Sequence, residues 1–363
     1  MPQPAPPIAF EPHSEPVPTT TREVMLRDPG FGTRFTDHML TMRYTTMSGW
    51  TDGVIAARRP FEMDPACAVL HYAQEIFEGM KAYRLPDGRS ALFRSDANAR
   101  RFQASAERMA MPPLPQEVFR HAVAEFVRRE REWIPAIEGG ALYLRPFMFA
   151  SEAFLGVRPA NDYVFAIIAS PVGAYFHGGP TAITIWVSDH YSRAAPGGTG
   201  AAKCGGNYAG GLLAQVEARK AGCDQVLFLD AGERRWVEEL GGMNVFFVFD
   251  DGSLLTPPLE GTILPGITRA SLLRLARDGG RAVREERYAL DDWRRDAASG
   301  RVVEAFACGT AAVVTPIGGV KGEEFAFDIG GGVAGPVATG LRAALVGIQR
   351  GTAPDPYGWV EPL

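Results

Sequence analysis

Lysine is scarce in this chain: of 37 basic residues only four are lysines, Lys81, Lys203, Lys220 and Lys321. Arginine stays protonated in proteins, whereas a lysine amine can be neutral and nucleophilic, so any amine chemistry must come from these four. Cysteine is also sparse, and Cys67, Cys204, Cys223 and Cys308 form no CxxC pair and no disulfide framework. The six histidines (His13, His38, His71, His121, His177 and His190) are dispersed, with no HExxH and no paired ligand spacing, so no metal site is predicted. GxSxG and SxxK are missing, which removes the hydrolases that depend on them. No apolar run approaches ~18 residues, the length of a transmembrane helix. No Lys or Arg precedes Arg22 and no apolar h-region follows the start, so a secretory signal is not expected. A net charge of -5, from 37 basic and 42 acidic residues, argues against a protein built to bind a phosphate backbone. The expectation is a soluble, cytoplasmic globular protein.

With 363 residues and 46% apolar content, the chain can form two core-bearing domains. Seven prolines among the first 20 residues mark 1–24 as a disordered or loosely attached tail. A smaller N-terminal α/β domain is expected over 25–174. It contains helices at Ser95–Met111 and Gln116–Trp133, and buried strands at Ala141–Phe149 and Tyr163–Ser170. Proline and glycine then break the pattern, and 175–181 reads as an interdomain loop. A larger domain is expected over 182–363. It opens with a strand at Ala182–Ser188, followed by a Gly-rich loop at Pro196–Gly206 and a helix at Tyr208–Lys220 with Leu212, Leu213 and Val216 on its apolar face. Strands follow at Gln225–Leu229, Arg235–Leu240 and Met243–Phe249, then a helix at Pro265–Arg277 and a strand at Val302–Ala307. The class is α+β in two domains, with a site at their junction.

Glycine and alanine surround Lys203 in Gly197-Gly198-Thr199-Gly200-Ala201-Ala202-Lys203-Cys204-Gly205-Gly206-Asn207-Tyr208. Neither phosphate-binding glycine pattern fits. A P-loop needs Gly before the lysine and Ser or Thr after it, and the dinucleotide fingerprint needs a third glycine where Lys203 stands. A flexible surface loop is one reading; the other is an amine open to an aldehyde cofactor, since no carboxylate lies within the loop. A pyridoxal phosphate enzyme would also need a carboxylate beside the pyridine nitrogen, and Glu238-Glu239 offers one. Alternation along a strand lets only one of the two face inward. It would need a phosphate site as well: Leu264-Pro265-Gly266-Ile267-Thr268-Arg269 opens a helix whose N–H groups could face an anion, and Gly309-Thr310-Ala311 could add more.

These stretches, together with Phe77-Glu78-Gly79-Met80-Lys81-Ala82-Tyr83-Arg84, Tyr143-Leu144-Arg145-Pro146-Phe147 and Gly173-Ala174-Tyr175-Phe176, resemble the branched-chain amino-acid aminotransferases. These belong to the fold-type IV (D-amino-acid aminotransferase-like) pyridoxal phosphate enzymes. The match keeps its order from about Asp28 to Pro316. The resemblance implies that Lys203 is the Schiff-base lysine and that pyridoxal 5'-phosphate is the cofactor. It further implies that Glu239 partners the pyridinium, Tyr208 the phenolate oxygen, and Arg101, Ile267, Thr268 and Thr310 the phosphate. Thr310 and Ala311 would hold the substrate carboxylate; Phe77, Tyr143 and Tyr175 would line the side-chain pocket, with Arg145 orienting that wall. A homodimer is implied, with Tyr72 of the partner subunit entering the site. The implied activity is reversible amino transfer between leucine, isoleucine or valine and 2-oxoglutarate. Same-fold alternatives are a D-amino-acid aminotransferase and an aminodeoxychorismate lyase; a nucleotide-binding regulatory protein would be another class. Gly242 stands where relatives often carry Thr, and Ala312 and Thr315 stand where some carry a redox CxxC, so no thiol switch of that kind is expected.

Overall fold

Two sheets organise the chain in a computed structural model that describes residues 7–173 and 182–363. The chain divides into two units, the first comprising Met1–Tyr175, Ala202–Gly205 and Ile348–Leu363, the second Phe176–Ala201 and Gly206–Gly347.

The first unit is built on a ten-stranded sheet whose central strands, Ala141–Ala150 and Asp162–Val172, run antiparallel with Arg145 opposite Ile168. Alternation sends successive side chains to opposite faces. Leu142, Leu144 and Met148 therefore lie in the core, while Tyr143, Arg145 and Phe147 stand half-buried on the other face. Helices Ser95–Arg108 and Gln116–Glu130 repeat apolar residues every three or four positions, which gives each one buried stripe. Phe102 and Phe119 of these helices meet Phe165 of the sheet, with ring centroids 5.6 and 6.1 Å apart.

The N-terminal segment is not a loose tail over its described length. Ile8–Phe10 pairs in parallel with Gly53–Ala57, Thr19–Arg27 is helical, and the Val17 N–H donates to Asp37 at 2.8 Å. Proline-rich composition misled because an edge strand needs only part of its backbone donors. Residues 1–6 and the loop expected at 175–181 lie outside the described residues. The single boundary expected between the domains is also too simple, because Ala202–Gly205 and Ile348–Leu363 belong to the first unit. Val360–Pro362 adds an edge strand to Ser90–Phe93 there. Such long-range returns leave no periodicity in sequence.

The second unit carries a nine-stranded sheet, in which a further pairing of Val237–Leu240 with Asn244–Phe249 closes six strands into a ring. Phe247, Trp293 and Leu255 are buried in its core. The helix expected at Tyr208–Lys220 is two, Gly205–Ala209 and Leu212–Lys220, with Gly210-Gly211 between them. Leu212, Leu213 and Val216 are exposed, and the buried face is instead Ala214 and Ala218, packed with Val226 and Phe228. Small residues win that face because the helix lies close on the strand Gln225–Leu229. Among the described residues no helix is long and apolar enough to cross a membrane, and no group of three His, Cys, Asp or Glu could hold a metal ion.

Candidate active site

In the first unit Lys203 is held by its backbone. Its N–H donates to Ser105 Oγ and its carbonyl accepts from the Phe77 N–H, each at 2.9 Å. The Gly205 N–H donates to Glu75 Oε1. Ala202 and Cys204 are buried in the first unit's core, which accounts for a small residue and a compact apolar thiol on either side of the lysine. The loop is therefore a pinned segment, not an open flexible one. Its side chain runs past an aromatic wall, with Nζ 4.8 Å from the Phe77 ring centroid.

The Phe77-Glu78-Gly79 run places one element of the site per residue. Phe77 faces Lys203, and the Arg145 guanidinium lies 4.7 Å from the same ring. Glu78 is fully buried and takes Arg101 in a two-point contact, Nε to Oε1 at 2.7 Å and Nη2 to Oε2 at 2.8 Å, joined by Asn98 Nδ2 at 2.7 Å. Gly79 leaves room for Tyr143, since a Cβ there would overlap the phenol oxygen. Arg145 Nη2 donates to that oxygen at 3.2 Å, which fixes the tilt of the wall. Tyr72 lies on the surface with its hydroxyl donating to the Leu155 carbonyl. Tyr175 lies outside the described residues. Of the other lysines, Lys81 is buried on the strand Met80–Arg84, Lys220 is exposed, and Lys321 Nζ reaches the Ala221 carbonyl at 3.5 Å.

In the second unit both glutamates of the pair are buried, and they part company by alternation. Glu239 sits at the pairing that closes the ring, opposite Asn244. Its Oε1 meets Arg193 Nη1 at 2.8 Å and the Leu264 N–H at 2.9 Å, so two charge-assisted contacts support it as an anion. Glu238 accepts from Thr262 Oγ1 at 2.5 Å, and burial raises its carboxyl above the usual range. It is not the solvated turn residue that an isolated acidic pair suggests.

Asn244 Nδ2 holds the Leu264 carbonyl at 3.0 Å, and a side chain at Gly266 would overlap Asn244 Oδ1. Together these contacts set the turn that begins the helix Ile267–Asp278. Tyr208 stands beside Gly242, where an added Cβ would meet Cε1 at ordinary contact distance, 3.6 Å. Thr310 and Ala311 form the turn between Val302–Gly309 and Val313–Lys321. Val313 closes that turn at φ 65, a costly conformation for a β-branched residue and one found where a turn's shape matters. Cys308, two residues before the turn, is buried, and burial pushes its thiol well above the usual range.

Sequence reasoning proposed Lys203, Phe77, Tyr143, Arg145 and Arg101, which lie in the first unit, and Tyr208, Glu239, Ile267, Thr268, Thr310 and Ala311, which lie in the second. It missed Arg193, Ser105 and Glu75. Arg193 is almost wholly buried, and a buried arginine has no sequence signal beyond its apolar neighbours.

The family described as amino-transferase class IV matches residues 75–320. A probable branched-chain-amino-acid aminotransferase of Streptomyces coelicolor is 53% identical over 99% of both chains. The branched-chain-amino-acid aminotransferase of Mycobacterium tuberculosis is 53% identical over 96% of both. The structure of the Escherichia coli branched-chain amino acid aminotransferase is similar with a TM-score of 0.72 at 29% identity, covering 90% of this chain and 98% of that one. The chain belongs to the class IV amino-transferases, within the branched-chain-amino-acid aminotransferase family.

Proposed function

We propose that this chain is a cytoplasmic branched-chain amino-acid aminotransferase that uses pyridoxal 5'-phosphate to move the amino group between leucine, isoleucine or valine and 2-oxoglutarate. The observation that carries the reading is Lys203, whose backbone is pinned at both ends and whose amine lies against the Phe77 ring. The donor set suits the cofactor: a primary amine, a buried carboxylate already paired with Arg193, and the start of the helix Ile267–Asp278, whose dipole favours an anion.

When bound, the cofactor supplies an aldehyde and a ring that withdraws electron density from the substrate Cα. Lys203 would hold the cofactor through its amine and, once freed by substrate, that amine would carry the proton at the substrate Cα. Glu239 would favour a proton on the ring nitrogen, since a nearby anion favours the cation. Tyr208 would donate to the phenolate oxygen. Arg101, Ile267, Thr268 and Thr310 bind the phosphate, with Glu78 fixing the plane of the Arg101 guanidinium. The N–H groups of Thr310 and Ala311 take the substrate carboxylate. Phe77 and Tyr143 would line an apolar pocket, where burying a Leu, Ile or Val side chain stabilises binding by ~1.5–3 kcal/mol. The protein works as a homodimer in which Tyr72 of the partner subunit completes the pocket; support comes from exposed Leu70, Tyr72, Leu155 and Val157.

The test is to assay the purified holoenzyme against a panel of amino acids with 2-oxoglutarate, beside Lys203→Ala. Turnover confined to the branched-chain substrates and lost with Lys203 is expected. A Lys203→Ala variant that retains turnover and the visible band of bound cofactor would place the chemistry on another lysine.

A further inference from the structure

The chain uses a charged side chain where a neutral one would be cheaper. Glu75 is half-buried on the short strand Glu75–Phe77, and burial raises its carboxyl above the usual range, opposed by the Gly205 N–H and by Arg145. A buried carboxylate is destabilising unless its partners repay the lost water.

The partners are specific. Glu75 and Phe77 point to the same side of their strand. Glu75 Oε1 accepts the Gly205 N–H through its side chain, and the Phe77 backbone N–H, along the strand edge, donates to the Lys203 carbonyl at 2.9 Å. The strand thus grips the lysine segment at two points two residues apart, with Ser105 Oγ holding the Lys203 N–H as a third. A Cβ at 205 would overlap Glu75 Oε1, so a side chain there would displace the carboxylate from the loop. The same carboxylate is attracted to Arg145, which stacks on Phe77 and donates to the Tyr143 hydroxyl at 3.2 Å. One carboxylate therefore bonds the lysine loop and lies within electrostatic reach of the arginine that supports the aromatic wall.

We infer that Glu75 is a positioning residue for the reaction: through the Gly205 N–H it fixes the loop from which the Lys203 amine reaches the reacting carbon. The inference rests on Lys203 being the cofactor lysine. Among these three anchors of the loop, Glu75 is the one that comes from a side chain carrying charge. Without it the loop keeps its other two bonds, so the fold survives while the amine loses its aim. A misplacement of about 1 Å in reacting groups costs on the order of 100-fold in rate.

The experiment uses the holoenzyme with leucine and 2-oxoglutarate and compares Glu75→Ala, Glu75→Gln, Gly205→Ala and Lys203→Ala. Glu75→Ala removes the acceptor; its kcat should fall by about 10- to 100-fold, and its KM for leucine should stay within about 2-fold. Glu75→Gln keeps an oxygen acceptor and should recover kcat to within about 3-fold of the parent. Gly205→Ala pushes the loop off Glu75 from the other side and should reproduce the kcat loss, which supplies a second reading where Glu75→Ala does not fold. Full kcat in Glu75→Ala, an equal loss in Glu75→Gln and Glu75→Ala, or a loss confined to KM would each overturn the inference. Turnover retained in Lys203→Ala would instead overturn the assignment of the lysine, whatever the Glu75 variants do.

Discussion

At the scale of single residues, each of the two units buries an arginine–glutamate pair. Arg101 and Glu78 form one such pair, and Arg193 and Glu239 the other. Removing one partner leaves an uncompensated charge, which costs about 3–5 kcal/mol. Arg101→Ala is therefore expected to lower the melting temperature of the cofactor-free protein as well as to loosen the cofactor. Combining it with Glu78→Gln should recover much of the melting temperature and none of the cofactor retention on dialysis. An unchanged melt for Arg101→Ala would mean that the pair contributes little to stability. The adjacent glutamates give a second residue-scale contrast. Glu239→Gln removes the anion beside Arg193, and the rate of leucine transamination should fall at least ~100-fold, the size of a lost electrostatic contribution. Glu238→Gln keeps an oxygen for Thr262 and should stay within ~3-fold. A crippled Glu238 variant beside a healthy Glu239 variant would reverse the assignment.

At the scale of elements, the connection after the Ala141–Ala150 strand is shaped by a carboxylate. Glu152 takes Arg158 through Nη1 and Nη2 at 3.0 and 2.6 Å and the Asn161 N–H at 2.6 Å. The Arg158 contact, reinforced by Asn161, holds the Glu152 carboxyl down at about 2. A carboxyl depressed in the folded state contributes stability above its unfolded value, and that contribution fades as pH falls toward the folded one. Glu152→Gln should therefore melt below the parent at pH 7, and the gap should narrow steadily between about pH 4.5 and pH 3. Thermal melts across that range are the check; a gap that stays constant with pH would show that Glu152 acts by packing alone. The same loop carries exposed Leu155 and Val157, so its shape bears on the proposed partner surface.

At the scale of the whole molecule, the first unit is assembled from three separate stretches of chain. Its edges are supplied by the two ends: Ile8–Phe10 on one side of the sheet and Val360–Pro362 on the other. Phe10 packs on the core, with the Arg129 guanidinium 4.4 Å from its ring. Deleting residues 1–17 should remove apolar burial worth on the order of 2–4 kcal/mol and lower the melting temperature by several degrees. A truncated protein that melts with the parent would return this segment to the status of a dispensable tail.

Much of the chemistry was legible in the residues themselves. Four lysines, one of them within a run of glycine and alanine, pointed to Lys203 as the amine, and alternation left room for only one of Glu238 and Glu239 to face inward, the choice of Glu239 coming from the resemblance. The helices Ser95–Arg108 and Gln116–Glu130 and the strand Gln225–Leu229 were readable because periodicity is a local property. Glu78 looked like one charge among several, and nothing local told that Arg101 would meet it 23 positions away. Nor could local pattern place Leu212, Leu213 and Val216 outside, because their helix buries its alanines at a close approach that only the facing strand imposes. Ala202–Gly205 looked like an open loop for the same reason: its anchors, Ser105, Phe77 and Glu75, come from 98 to 130 positions earlier in the chain. The sequence by itself determined which side chains can do the chemistry, since reactivity belongs to residue type. Which of them are buried, paired and aimed was decided only by the tertiary structure, because burial and pairing depend on contacts between residues far apart along the chain.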